Sequence, residues 1–130
     1  MHELDAAARQ RVFEHLQTLS RQAQRADPAA AWLALEAAHV VGQPALGLHW
    51  RSHVHMLRLA WHEGNLPEVA GQLLRLMLAP VGHAVGRLPA GNTGRSSVSA
   101  FSPMTPRRAI QALILNTRAA IQKSSESGGF

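Results

Sequence analysis

Two short spacings carry most of the chemistry this sequence can offer. Glu36-x-x-His39 and His49-x-x-x-His53 set a carboxylate and three imidazoles at i,i+3 and i,i+4 separations. On a helix, those separations bring both side chains of a pair onto one patch of surface. Helical bundles hold metal ions with carboxylate and imidazole groups at such spacings. Glu36, His39, His49 and His53 are therefore the expected ligands of a divalent transition metal (zinc, iron, manganese, cobalt or nickel), and the spacing selects none of these. The competing reading is a buried hydrogen-bonded network of the same groups that fixes helix register.

Helical wheels sharpen this expectation. At about 100° per residue, His49 and His53 fall within the apolar arc of their helix, beside Trp50, Met56, Ala60 and Trp61. His55 and His62 fall opposite, with Arg51 and Arg58. In the preceding helix, Glu36, His39 and Gln43 share the face of Trp32 and Leu35. A carboxylate on an apolar face must be paired or liganded, because burying an unpaired charge is expensive. Folding the chain back at Pro44 brings His39 level with His49 and Glu36 level with His53. Glu14 or His15 supplies a fifth ligand only if the first helix covers the same patch. Gln43 and Gln72 read as supporting or capping groups rather than ligands.

Five helices must position these groups. Leu4, Ala8, Val12, Leu16 and Leu19 recur at spacings of three and four, which predicts an amphipathic helix over residues 4–25. Asp27-Pro28 starts a second helix, with Asp as N-cap and Pro at the first helical position. Gly42-Gln43-Pro44 stops it, with Gly42 expected in the left-handed position. A third helix follows over residues 45–63 and Gly64-Asn65 closes it. Leu66-Pro67 opens a fourth, with Val69, Leu73, Leu76 and Met77 on one stripe, ending near Pro80–Gly86. Residues 87–105 read as a long loop, and Thr105-Pro106 caps a last helix carrying Ile110, Leu113, Ile114 and Ile121. The expected fold is all-α: two stacked helical hairpins, tetratricopeptide-like or a small bundle, with a long loop and a C-terminal helix. One domain is expected over residues 1–122, with a flexible tail over 123–130.

Composition excludes several function classes. The 130 residues contain no cysteine, so disulfides, thiolate catalysis and cysteine-based zinc sites are ruled out. No apolar run reaches the ~20 residues of a membrane span, and the polar start is unlike a signal peptide, so a cytoplasmic protein without a membrane partner is expected. The net charge of +5 comes almost wholly from arginine. Its excess sits toward the C-terminal end, in Arg95, Arg107, Arg108, Arg118 and Lys123. Without interleaved aromatic residues this is a poor nucleic-acid footprint, and no nucleic-acid partner is expected on that ground. Gly91-Asn92-Thr93-Gly94 lacks the Lys-Ser/Thr of a phosphate loop and reads as a structural turn. Met56, Met77 and Met104 read as core filling. The serines at 96, 97, 99 and 102 have no histidine nearby in sequence, so no nucleophile–base pair is apparent.

The runs LEAAHVVGQ (35–43), HWRSHVHMLRLAW (49–61), EVAGQLLRL (68–76) and LPAGNTGRSSVSAFSPM (88–104) together resemble an uncharacterised bacterial family, domain of unknown function 3703. The likeness covers residues 26–106, and the first helix matches less closely. It implies this domain and no particular activity, and it marks Glu36, His39, His49 and His53 as motif positions. The expected function is metal binding at the second hairpin, for metal handling, sensing or catalysis. The alternative is a non-enzymatic interaction module of helical-repeat type, with a groove between hairpins that takes a protein partner or a second copy of the chain.

Overall fold

A computed structural model of the chain describes residues 4–86, 92, 94–95 and 106–128. Every regular element among the described residues is helical: α1 (Ala6–Ala23), α2 (Pro28–Gly42), α3 (Leu46–His62), α4 (Leu66–Ala84) and α5 (Arg108–Ser127). The protein is all-α. None of these helices is long and apolar enough to cross a membrane.

Helix boundaries follow local chemistry. Asp5, Asp27 and Asn65 each accept a hydrogen bond from the backbone N–H three residues on, which satisfies one of the orphan donors of α1, α2 and α4. Gly64, at φ +70°, adopts the left-handed backbone that ends α3. Gly42 behaves differently from the sequence expectation. It remains helical, and the need for glycine there is spatial. A Cβ on it would stand 3.0 Å from both Leu48 Cβ and the Phe13 ring. The last helix begins after Arg107 and extends through Ser127, so the serines at 124, 125 and 127 are helical. Thr105, its expected cap, lies outside the described residues.

Pro80 does not end α4 but sits inside it. Proline lacks the N–H that would bond to the carbonyl four residues back. That carbonyl belongs to Leu76, and the indole Nε1–H of Trp50 donates to it at 3.0 Å. A side chain of α3 thus replaces the missing backbone donor, and α4 continues to Ala84.

Pairing of the helices is antiparallel where the contacts define it. Arg9 reaches the Val41 carbonyl while Ser20 reaches that of Ala31, so α1 and α2 run in opposite directions. His39 meets His53 while Trp32 meets Glu63, which orients α3 against α2. One apolar core lies among α1, α2 and α5, built on Val12, Phe13, Leu16, Val41, Ile110 and Ile114. A second lies between α2 and α3, built on Trp32, Leu35, Met56 and Leu59.

The apolar arcs drawn from the sequence hold for α2 and fail in part for α3 and α4. Trp50 and Trp61 are exposed rather than buried, and so are Leu73 and Met77. Met77 is therefore not core filling, whereas Met56 is fully buried; Met104 lies outside the described residues.

Candidate metal centre

Three helices converge on His39, His49 and His53. Each of these histidines is buried, at 1%, 6% and 2% exposure. The Nε2 atoms of His39 and His53 stand 3.2 Å apart, and those of His53 and His49 stand 3.1 Å apart. One nitrogen from each ring lies within 4.8 Å of the others, a spacing at which three ligands can share one ion. Nitrogens held tetrahedrally about 2.0–2.1 Å from a zinc ion stand roughly 3.3–3.4 Å apart, close to the His39–His53 and His53–His49 separations.

The outward nitrogens are each held by a partner. His39 Nδ1 lies 2.6 Å from the Asn92 backbone carbonyl. A carbonyl only accepts, so this nitrogen carries the proton and Nε2 bears a lone pair. His53 Nδ1 lies 2.7 Å from Gln72 Oε1. The orientation of that amide is set by its other end, where Nε2 donates to Glu68 Oε1 and to the Gly94 carbonyl, both at 2.9 Å. His53 is therefore also protonated on Nδ1, with its Nε2 lone pair turned inward. His49 Nδ1 lies 3.0 Å from Nε2 of His83, the fourth histidine of the cluster.

Neither His39 nor His53, when neutral, has a proton on Nε2 to place between them. Only His49 has the freedom to supply one, and it can satisfy His53 alone. The His39–His53 contact thus sets two lone pairs against each other across 3.2 Å.

Electrostatics keep the rings neutral. Burial pushes His39 well below the ordinary histidine range, with His53 and His49 adding to the effect. Burial, followed by the neighbouring histidines, pushes His49 down to about 3. Burial takes His53 down to about 4, against the hydrogen bond to Gln72 and with help from Arg75. A site that opposes protonation while presenting lone pairs is what a metal ion needs of its ligands.

Asn92 and Gly94 reach into the cluster. Asn92 is buried, and its side chain accepts from the Gly94 N–H at 2.9 Å. Gly94 has φ +83°, and a Cβ on it would lie 2.6 Å from Cδ2 of the His39 ring. Asn92 and Gly94 thus hold His39 in place. Gly91, Thr93 and the serines at 96, 97, 99 and 102 lie outside the described residues.

Among the described residues, His39, His49 and His53 form the group of histidine or carboxylate side chains close enough to share one ion. Glu36 is buried one turn before His39, and Arg107 donates to its Oε2 at 2.8 Å. Burial raises the Glu36 carboxyl above its usual range, while Arg107 and Arg95 pull it back. Glu14 and His15 are exposed on α1. Gln43 is buried at the C-terminal end of α2. His62 is exposed as expected, whereas His55 is half-buried and is pushed down to about 4 by burial, then by Arg58, Arg51 and Arg21.

The sequence reading did not include His83, the Asn92 carbonyl, Glu68 or Arg95 in the site. Arg95 pairs with buried Glu68 at 3.1 Å and lies over the Trp32 ring at 3.8 Å. A row of polar groups thus runs from Trp32 through Arg95, Glu68 and Gln72 to His53. The helical spacing of Glu68 and Gln72, four apart on one face of α4, was the available signal for half of that row.

Comparison with known proteins identifies the chain's family without identifying an activity. No curated protein and no solved structure matches the chain. The model of one family, described as a protein of unknown function (DUF3703), matches residues 6–114, and the chain belongs to that family.

Proposed function

We propose that this protein binds one divalent transition-metal ion through Nε2 of His39, His49 and His53. The observation that carries the reading is the His39–His53 contact, in which two inward lone pairs meet with no proton between them. A cation between the rings converts that repulsion into three coordinate bonds. The outward partners support the same reading, since metal-bound histidines generally donate their other N–H to a carbonyl, a carboxylate or a similar acceptor. Asn92 and Gln72 do so for His39 and His53, and His83 accepts from His49 in the same tautomer.

An all-imidazole set favours zinc, iron, cobalt, nickel or copper over manganese, which prefers oxygen ligands. Three protein ligands leave at least one position for water, an anion or a donor from a partner, the arrangement of catalytic and transfer sites rather than closed structural ones. Glu36 is bound to Arg107 and serves this reading as a neighbour of the site, one turn from His39.

The test is elemental analysis of untagged protein purified without chelator, beside His49→Ala/His53→Ala, with circular dichroism on both. About one metal per chain in the wild type and none in a folded variant is the expected result. Absence of metal from wild type incubated with Zn²⁺, Co²⁺, Ni²⁺, Fe²⁺ or Cu²⁺ overturns it. The cluster is then a buried polar network that sets helix register.

A further inference from the structure

Helix α4 is amphipathic in the reverse sense to an ordinary surface helix. Its buried residues are Glu68, Gln72, Arg75, Ala79 and Gly82. Most of its large apolar residues face solvent: Leu66, Leu73, Leu74, Met77 and Val81, with Val85 at its C-cap, are exposed by between 50% (Leu73) and 73% (Met77), while Val69, Leu76 and Leu78 are half-buried. On a helical wheel the six exposed side chains occupy an arc of about 120°, and no charged residue interrupts it.

The inversion has a cause in the histidine cluster. Gln72 orients His53, Glu68 orients Gln72, and His83 meets His49. The side of α4 that serves these polar groups must face inward, which leaves Leu66, Leu73 and Leu74 outward. From α3, Trp61 at 70% and Trp50 at 43% exposure extend the apolar face. Together these side chains present on the order of 1,000 Å² of exposed surface, beyond the few hundred Å² usual for a monomer. That area matches the ~800 Å² that each partner brings to a standard protein interface.

We propose that this face of α3 and α4 joins two copies of the chain about a two-fold axis. Three features select a second copy as the occupant. A two-fold interface sets one patch against itself, so an uncharged patch meets no like charge there. Leu66, Ala70, Leu73 and Met77 follow one another at spacings of four, three and four, the repeat of a helix–helix seam. A helix that lies on a membrane instead carries lysine or arginine on its outer polar flank. The charged residues of α4, Glu68 and Arg75, are both buried. The interface holds whether or not the histidines take a metal.

Sedimentation equilibrium over a range of concentrations tests this, on chelator-treated and on Zn²⁺-incubated wild-type protein, beside Leu73→Glu/Met77→Glu. The expected result is twice the chain mass for wild type in both conditions and one chain mass for the variant, with unchanged helical circular dichroism. Should that variant lose its helical signal, Met77→Lys alone is substituted for it, with weakened dimerisation expected. A wild type that stays monomeric at every concentration overturns the proposal, including one that instead co-sediments with anionic phospholipid vesicles. So does a dimer that persists undiminished in a folded variant.

Discussion

His39 and Asn92, 53 residues apart in the chain, are joined by a 2.6 Å hydrogen bond from the imidazole Nδ1–H to a backbone carbonyl. A ring on α2 is thus held by the main chain at Asn92. The carbonyl fixes the tautomer, and the tautomer turns the Nε2 lone pair toward the other histidines. Gly94 keeps the loop close enough for this to happen, with no side chain between its backbone and the His39 ring.

Gly94→Ala is expected to damage both the turn and the ring. Its φ of +83° is strained for any residue with a Cβ, and the added atom would overlap the imidazole. A loss of about 1–3 kcal/mol is expected, read as a melting temperature lowered by several degrees. Metal affinity should fall with it, since His39 must move. A variant as stable as wild type would show that the loop yields without cost.

Gln72→Ala removes the acceptor that orients His53 while leaving all three proposed ligands in place. Loss of such an outer partner typically weakens metal binding 10–100-fold. Calorimetric titration with Zn²⁺ should show that loss with the stoichiometry kept at one. Unchanged affinity would mean that His53 needs no orienting group.

The Glu36–Arg107 pair is unequal in exposure, with side chains 10% and 63% accessible. Arg107→Ala should therefore cost more than Glu36→Gln. The first leaves a buried carboxylate without its nearest cation and costs about 1–3 kcal/mol. The second leaves an arginine that water can solvate and costs less than about 1 kcal/mol. Glu36→Gln should also retain one metal per chain. Loss of the metal in a folded Glu36→Gln protein would make the carboxylate a ligand.

Acid should destabilise the metal-free fold by way of the histidines. His49 and His53 sit at about 3 and about 4 in the folded protein, with His39 also well below the ordinary 6.5. As pH falls through 6.5, the unfolded chain takes up protons that the folded chain refuses, so stability falls. The loss continues until the folded values are reached. Glu36, raised by burial, works with the opposite sign, but one carboxyl opposes three imidazoles and His55. Urea midpoints of chelator-treated protein should decrease from about pH 7 to about pH 4. His53→Gln should flatten that dependence.

Much of the fold is legible in the sequence because helix signals are local. Asp27-Pro28, Gly64-Asn65 and Leu66-Pro67 mark real boundaries, since capping and proline sterics act within one turn. Glu36, His39, His49 and His53 are all buried, as the wheel positions require, because neighbours on a helix share a face whatever it packs against. The register is another matter: folding back at Pro44 sets His39 level with His49 and Glu36 level with His53, whereas in the structure His39 Nε2 lies 3.2 Å from His53 Nε2, Trp32 meets Glu63 and Glu36 pairs with Arg107.

What the sequence by itself could not decide is which side of a helix counts as inside. The leucines of α4 form a regular apolar stripe, and periodicity alone assigns such a stripe to the core. Tertiary structure reverses the assignment for Leu73 and Met77, while Val69 still packs against the α2–α3 core, because Gln72 and His83 must reach the histidines and a rigid helix cannot turn both faces inward. The partner of Glu36 is likewise decided only by packing: Arg107 lies 71 residues away, and helical spacing carries no information across that distance. The same holds for Asn92 and Gly94, which read as a turn in the sequence and acquire their role when the fold brings that turn against His39.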